Sequence, residues 1–305
     1  MSAPQPSLTP LSGSASGETF LAEAGEERTV VRIYSDRGAR RGALAVSTDA
    51  AVLRWVRGLL PVPEVLEVRQ PEPALDAPAV LVTSLLPGVR GDLLLAGLAP
   101  KAQARMGKQV AGVLQRLAGI ATARAGTYSG PDLSLVAAPP ARRDLPAWVE
   151  SHRRALSGWS RSERGRLMKL ATRAQSLLEP TDRTCLVHGD FSLENLLVDP
   201  DTFAVTGVLD WECARSGRPH ADLGSLLRSP HPSGFVSALL EQLDALDRAL
   251  GLPAIEERRS RARAEDLFSL VELAALRGED PRGAASDARL RELASAGHLD
   301  GELSP

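Results

Sequence analysis

Three polar side chains within residues 188–210 are spaced to move a phosphoryl group. The run His188-Gly-Asp-Phe-Ser-Leu-Glu-Asn195 follows the apolar Cys185-Leu-Val187 and precedes Leu196-Leu-Val198, a turn at Asp199-Pro-Asp-Thr202, and an apolar run, 205–209, that ends in Asp210. A loop feeding a hairpin in this way brings Asp190, Asn195 and Asp210 to one end of a small sheet. Phosphoryl transfer spreads charge over phosphate oxygens, so Mg²⁺ and hard oxygen ligands suit it. A carboxylate beside the attacking hydroxyl orients it and accepts its proton, a role that fits Asp190. Asn195 would add an oxygen ligand next to Asp210 without adding another negative charge beside a triphosphate.

The elements that must hold this segment fall into two textures. Residues 18–84 contain short β-prone runs separated by turn residues. Runs 19–22 and 29–34 flank Gly25-Glu26-Glu27 and read as an antiparallel hairpin, and 65–69 and 80–83 are two further strands around a Pro-rich loop. Between these pairs, 49–60 has helical spacing: Val52, Trp55, Val56 and Leu59 share a face, Thr48 is the expected cap and Pro61 the expected stop. After Pro87-Gly88 apolar residues recur at three- and four-residue intervals over 99–122, 145–157 and 162–178. Beyond the β-prone 185–211 they do so again over 221–227, 234–250, 263–277 and 285–294. The expected class is α+β, with the boundary near 85–88 dividing the chain into 1–87 and 88–305.

Together, HGDFSLENLLVD and the following VLDWECARSGRPHADLGSLLR resemble the signature of the aminoglycoside phosphotransferase (choline kinase-like) family. The resemblance extends more weakly to the first half and, in helical layout, to most of the chain. It implies a protein kinase-like two-lobed fold, a small β-rich lobe on a larger helical one, with ATP and Mg²⁺ in the cleft between. By this resemblance Asp190 is the catalytic base, Asn195 and Asp210 are metal ligands, His188 shapes the loop, and Asp222 braces it from the helical lobe. Ser14 and Ser16, within LSGSASGETF, occupy the place of the nucleotide-covering loop, where small residues let backbone N–H groups approach phosphates. Arg32 matches the basic position on the third strand and can grip phosphate bidentately. Its helix partner in the family is a glutamate; here Asp49, one methylene shorter, stands in that place. Thr83 and Leu85, in VTSLLPG, fall on the hinge that would bond the nucleobase. Those bonds come from the backbone and leave no side-chain mark, so ATP and GTP both fit.

Composition narrows the rest. The 305 residues are 43% hydrophobic and 24% charged, enough to bury a large core without disulfides. A formal net charge of −2 argues against nucleic acid as a partner. MSAPQPSLTP has neither a basic nor an apolar leader segment, and no apolar run is long enough to span a bilayer, so a cytoplasmic protein with no membrane partner is expected. Cys185 and Cys213 read as small core residues.

The expected partner is a small-molecule hydroxyl acceptor, foremost an antibiotic or related natural product in resistance or self-resistance. A metabolic kinase for choline, homoserine or a sugar stays open, as does a pseudokinase that binds nucleotide without turnover. A metal hydrolase built on His188, Asp190 and Asp210 lacks the multi-histidine set such sites use. Glu265, Asp266, Glu272, Glu279 and Asp280 form either an acidic pocket for a polyamine-like acceptor, such as an aminoglycoside or basic peptide, or a solvated face balanced by Arg258, Arg259, Arg261 and Arg263.

Overall fold

A computed structural model of the chain describes residues 7–11, 18–34, 41–179, 183–251, 257–278 and 281–299. Strands β1 (Ser7–Pro10), β2 (Glu18–Ala24), β3 (Glu27–Tyr34), β4 (Val65–Arg69) and β5 (Ala79–Ser84) form one antiparallel sheet in the order β1-β2-β3-β5-β4. The β2–β3 hairpin turns at the expected Gly25. Helix α1 (Ala45–Val56) packs on β4 and β5, burying Val46, Ala50, Leu53 and Val56 beside Ala79 and Leu81.

The helix begins and ends earlier than its apolar spacing suggests. Thr48 lies inside α1 rather than capping it: its hydroxyl donates to the Leu44 carbonyl and accepts from the Gly130 N–H, tying the helix to a distant turn. Val56 is followed by an extended Arg57, so the helix stops before Pro61, and Leu59 is 50% exposed instead of sharing the buried face.

Past β5, the chain forms β6 (Val89–Arg90), α2 (Gly91–Ala96) and α3 (Pro100–Gly119), then β7 (Gly126–Ser129) and β8 (Ser134–Ala137). Helices α4 (Leu145–Ser151) and α5 (Arg161–Leu178) follow. The 145–157 segment is helical only to Ser151 and continues as turns. Helix α5 starts at a reciprocal capping box, in which Ser160 and Glu163 each accept the other's backbone N–H.

Next come β9 (Cys185–Val187), β10 (Leu196–Val198), β11 (Val205–Val208) and β12 (Arg215–Gly217). Helices α6 (Ala221–Arg228), α7 (Ser233–Ala249), α8 (Arg258–Ala275) and α9 (Pro281–Ala296) complete the described chain. Strands β11-β10-β6 form one small sheet and β8-β7-β12-β9 another. The strands β1, β6, β7, β8 and β12 carry no local signal strong enough to announce them; each is short and exists through its partner.

Two cores hold the helical part. One runs from α1 and the large sheet through α3, α7 and the β9–β11 segment, around Met106, Val110, Phe191 and Phe235. The other joins α4, α5, α8 and α9 around Trp148, Leu167, Phe268 and Leu290. Cys185 is buried as expected, whereas Cys213 lies at the surface. Among the described residues no helix is long and apolar enough to cross a membrane.

Candidate active site

Strand β9 is wholly buried and delivers the chain to His188, which is 0% exposed. The backbone N–H groups of His188 and Gly189 both donate to the Asp222 carboxylate, each at 2.9 Å. Asp222 thus clamps the start of the loop from the first turn of α6. Burial pushes its carboxyl pKa up; the nearby His188 and the two N–H donors work against that rise. His188 is oriented at both ring nitrogens: Nε2 donates to the Leu209 carbonyl at 2.7 Å and Nδ1 accepts from the Asp190 N–H at 3.3 Å. Phe191 and Trp211 flank the ring. This histidine is used up in joining the loop to the far strand.

Gly189 has φ +89°, and a Cβ there would fall 2.2 Å from the Cys213 carbonyl oxygen. Only glycine fits that close crossing. Beyond it, the Asn195 amide donates to the Asp190 carbonyl at 2.8 Å, and Leu209 donates its N–H to the Asn195 carbonyl at 2.9 Å. With its NH₂ committed to the loop, Asn195 keeps its side-chain oxygen for another partner. Asp210 follows with a left-handed backbone, φ +61°, unusual for a residue other than glycine. Asn195 and Asp210 both line a cleft of about 390 Å³ beneath the five-stranded sheet, together with Arg32, Asp49, Thr83 and Leu85. Asp190 is not among the residues lining that cleft. Ser14 and Ser16 lie outside the described residues, although Leu11 and Thr19 on either side line the cleft.

Arg32 and Asp49 share the cleft but hold different partners. Arg32 donates to Asp210 Oδ1 at 2.8 Å and also to Glu212, both on the opposite wall. Burial alone would lower the Arg32 pKa; the charges of Asp210 and Glu212 more than reverse this and hold it above its ordinary value. Glu212 is pushed up by burial and by Asp210, with Arg32 pulling the other way. Asp49 accepts the Tyr34 hydroxyl at 2.7 Å and the Arg41 guanidinium at 2.8 and 2.5 Å. The family's strand–helix pair is thus divided here. The shorter Asp49 takes an arginine from the segment before α1, and Arg32 spans the cleft.

The oxygen donors of Asn195 and Asp210 have the hard character that Mg²⁺ requires. Among the described residues no three His, Cys, Asp or Glu side chains converge as a metal cluster, so these two would share the ion with oxygens from nucleotide and water. A second hollow, about 590 Å³, lies on the other side of α1 near Arg54, Trp55 and Tyr128 and contains none of these groups.

Comparison with known proteins gives the family and the fold. The model of the phosphotransferase enzyme family matches residues 7–263, from the first strand into α8. The chain belongs to that phosphotransferase family. In fold it is similar to a thermostable mutant of aminoglycoside phosphotransferase APH(4)-Ia in ternary complex with AMP-PNP and hygromycin B. That match has a TM-score of 0.69 and 19% identity, covering 95% of this chain and 94% of the other. It is also similar to the GDP complex of wild-type aminoglycoside 2'-phosphotransferase-IIIa, with a TM-score of 0.69 and 16% identity over 97% of this chain and 94% of that one. Acyl-CoA dehydrogenase family member 10 of Mus musculus is 45% identical over 76 residues, which is 25% of this chain and 7% of that much longer protein.

The chain therefore has the expected kinase-like architecture of that family. Its cleft also contains groups that sequence reasoning passed over. Glu212 stands two residues after Asp210 inside the recognised motif, and Tyr34 ends the strand that carries Arg32. Arg41 gave no signal, because nothing local says which of several neighbouring arginines reaches Asp49.

Among the described residues the acidic side chains of α8 are paired with arginines rather than lining an open pocket. Asp266 is gripped by Arg228 through two nitrogens, the shorter contact being 2.6 Å, Glu265 is met by Arg218 at 3.3 Å and Glu272 by Arg142 at 2.6 Å. The arginines expected to balance this face are partly engaged elsewhere: Arg258 pairs with Asp244 and Asp247. Glu279 and Asp280 lie outside the described residues.

Proposed function

We propose that this protein transfers the γ-phosphoryl group of ATP to a hydroxyl of a small molecule, with Asp190 as the base that receives the hydroxyl proton. The observation that carries this reading is the loop itself. Asp222 and His188 fix its backbone, Asn195 is bonded across it, and Asp210 faces the cleft next to Arg32. Arg32 is suited to hold phosphate oxygens, and Thr83 and Leu85 stand where backbone groups would receive the base. When bound by Asn195 and Asp210, Mg²⁺ would neutralise charge on the phosphate oxygens. The chain's own contribution is positioning: the loop fixed by Asp222 and His188 presents the Asp190 carboxylate to the acceptor.

The acceptor we favour is an antibiotic or related natural product, in line with the hygromycin B complex of one fold neighbour. The test is ADP release with Mg²⁺–ATP across a panel of antibiotics, choline, amino alcohols and sugars. An acceptor that stimulates release is expected to lose its effect, by about 10²- to 10⁴-fold, in Asp190→Ala while the variant still binds ATP. Unchanged turnover in that variant would remove Asp190 from the role of base.

A further inference from the structure

Beyond Asp190 the protein presents arginines. The Asp190 Oδ2 atom faces the start of α9, where Arg282 Nη1 stands 3.5 Å away on a side chain 49% exposed. The seating of α9 fixes this approach, since a Cβ on Gly283 would fall 2.7 Å from the Arg277 backbone nitrogen and 2.8 Å from the Leu276 carbonyl carbon. Arg228, the last residue of α6, lies within electrostatic reach of both Asp190 and Arg282. On the inner side of the loop, Arg215 is pressed against Gly189, its Nη1 2.5 Å from where a Cβ would stand.

Arg215 carries an independent signal. It is half-buried behind the loop on β12, and among the described residues no carboxylate forms an ion pair with it. Asp222 and Glu265 reach it only through their fields, and Arg142 adds repulsion. A half-buried guanidinium with no carboxylate in contact keeps its charge uncompensated at short range, and an arriving anion can supply that contact. Meanwhile the acids that would attract a cation are spent: Asp266 on Arg228, Glu265 on Arg218, Glu272 on Arg142.

We infer that the acceptor is an anion, a hydroxy compound bearing a carboxylate or phosphate group close to the hydroxyl, with Arg282 as its direct partner. Arg215, with no carboxylate in contact, stands behind it; Arg228 is held by Asp266. The inference rests on Asp190 as the base and narrows the acceptor to natural products or metabolites of that charge. In the step, the hydroxyl oxygen bonds to the γ-phosphorus and the bond from that phosphorus to the β–γ bridging oxygen breaks. The electron pair leaves with ADP, and the hydroxyl proton passes to Asp190. An anionic group would draw Arg282 away from Asp190, which leaves Oδ2 to the hydroxyl.

The experiment measures ADP release by the full chain with Mg²⁺–ATP and matched acceptors. Glycerate, gluconate and 3-hydroxybutyrate are set against their primary amides, against aminopropanediol and glucosamine, and against hygromycin B as a polycation. Glycerol 3-phosphate separates phosphate from carboxylate recognition. At least one anion is expected to exceed its uncharged counterpart by about tenfold or more in kcat/KM. For that acceptor Arg282→Ala is expected to raise KM by about tenfold with kcat within about threefold, and Arg282→Lys to recover part of the loss. Preferred turnover of an amide, an amine or hygromycin B overturns the inference, as does an unchanged KM in Arg282→Ala. So does the absence of both turnover and calorimetric binding for every acid at millimolar concentration. Calorimetry with Mg²⁺–ATP on the same preparation reads the nucleotide site separately, so failure there strikes the phosphotransfer reading and not the charge of the acceptor.

Discussion

Asp210 and Asp190 each meet an arginine from a distant part of the chain, and the two contacts have opposite character. Arg32 reaches Asp210 at 2.8 Å with side chains only 14% and 18% exposed, whereas Arg282 reaches Asp190 at 3.5 Å with exposures of 49% and 26%. The first contact is desolvated and must be satisfied for the fold to stand; the second is open to water, screened, and worth little to stability. The difference teaches where the molecule is finished. The side that the proposal gives to the nucleotide is already paired and closed, and the side it gives to the acceptor is left open to water.

The largest expected effect breaks the finished side directly. Asp210→Ala should lower the rate of phosphoryl transfer by about 10³-fold or more, since it removes both a candidate metal ligand and the Arg32 partner. Single-turnover transfer from labelled ATP measures it, and a variant within tenfold of the parent would show that Asp210 is dispensable.

A second test is the pH dependence of stability near the anchor of the loop. His220 precedes α6, the helix that carries Asp222, and burial together with Arg258 and Arg261 lowers its pKa to about 4. Above the unfolded value near 6.5 both states are neutral and nothing changes. Between 6.5 and 4 the unfolded chain takes a proton that the folded chain refuses, so stability falls as pH falls, and below 4 the loss levels off. The full loss is about 3 kcal/mol at most, and His220→Gln should remove it; denaturant unfolding at stepped pH reads the slope. Identical profiles for parent and variant would exclude His220 as its source.

Smaller still is Gly189→Ala. The left-handed backbone and the Cys213 carbonyl in the path of a Cβ should cost about 2 kcal/mol and depress turnover with it, read as a lowered Tm and a lowered kcat. The smallest effect sharpens the comparison from the other side: Arg282→Ala should change unfolding free energy by less than about 0.5 kcal/mol, because its contact with Asp190 is half-exposed. A loss of several kcal/mol there would mean the acceptor side is as rigidly built as the cleft.

Much of this molecule is legible without coordinates wherever the cause is local. The β2–β3 hairpin follows from β-prone runs around Gly25, and α3, α5 and α7 follow from their apolar spacing. The chemistry of the loop follows from Asp190, Asn195 and Asp210 standing at their intervals. Where a distant partner decides, the local signal misleads or falls silent. Thr48 reads as a cap and instead ties α1 to Gly130, and β12 exists because β7 and β9 flank it.

Sequence by itself determined the class of fold, the family and the loop that carries Asp190, Asn195 and Asp210, because motif spacing and side-chain type act over a few positions. Only the tertiary structure decided which arginine answers which carboxylate. Arg32 crosses 178 positions to Asp210, and 92 positions separate Arg282 from Asp190. The reason is physical: a guanidinium carries no address in its own sequence. Its partner is set by which elements the two cores press together, and by which charges that packing shuts away from water.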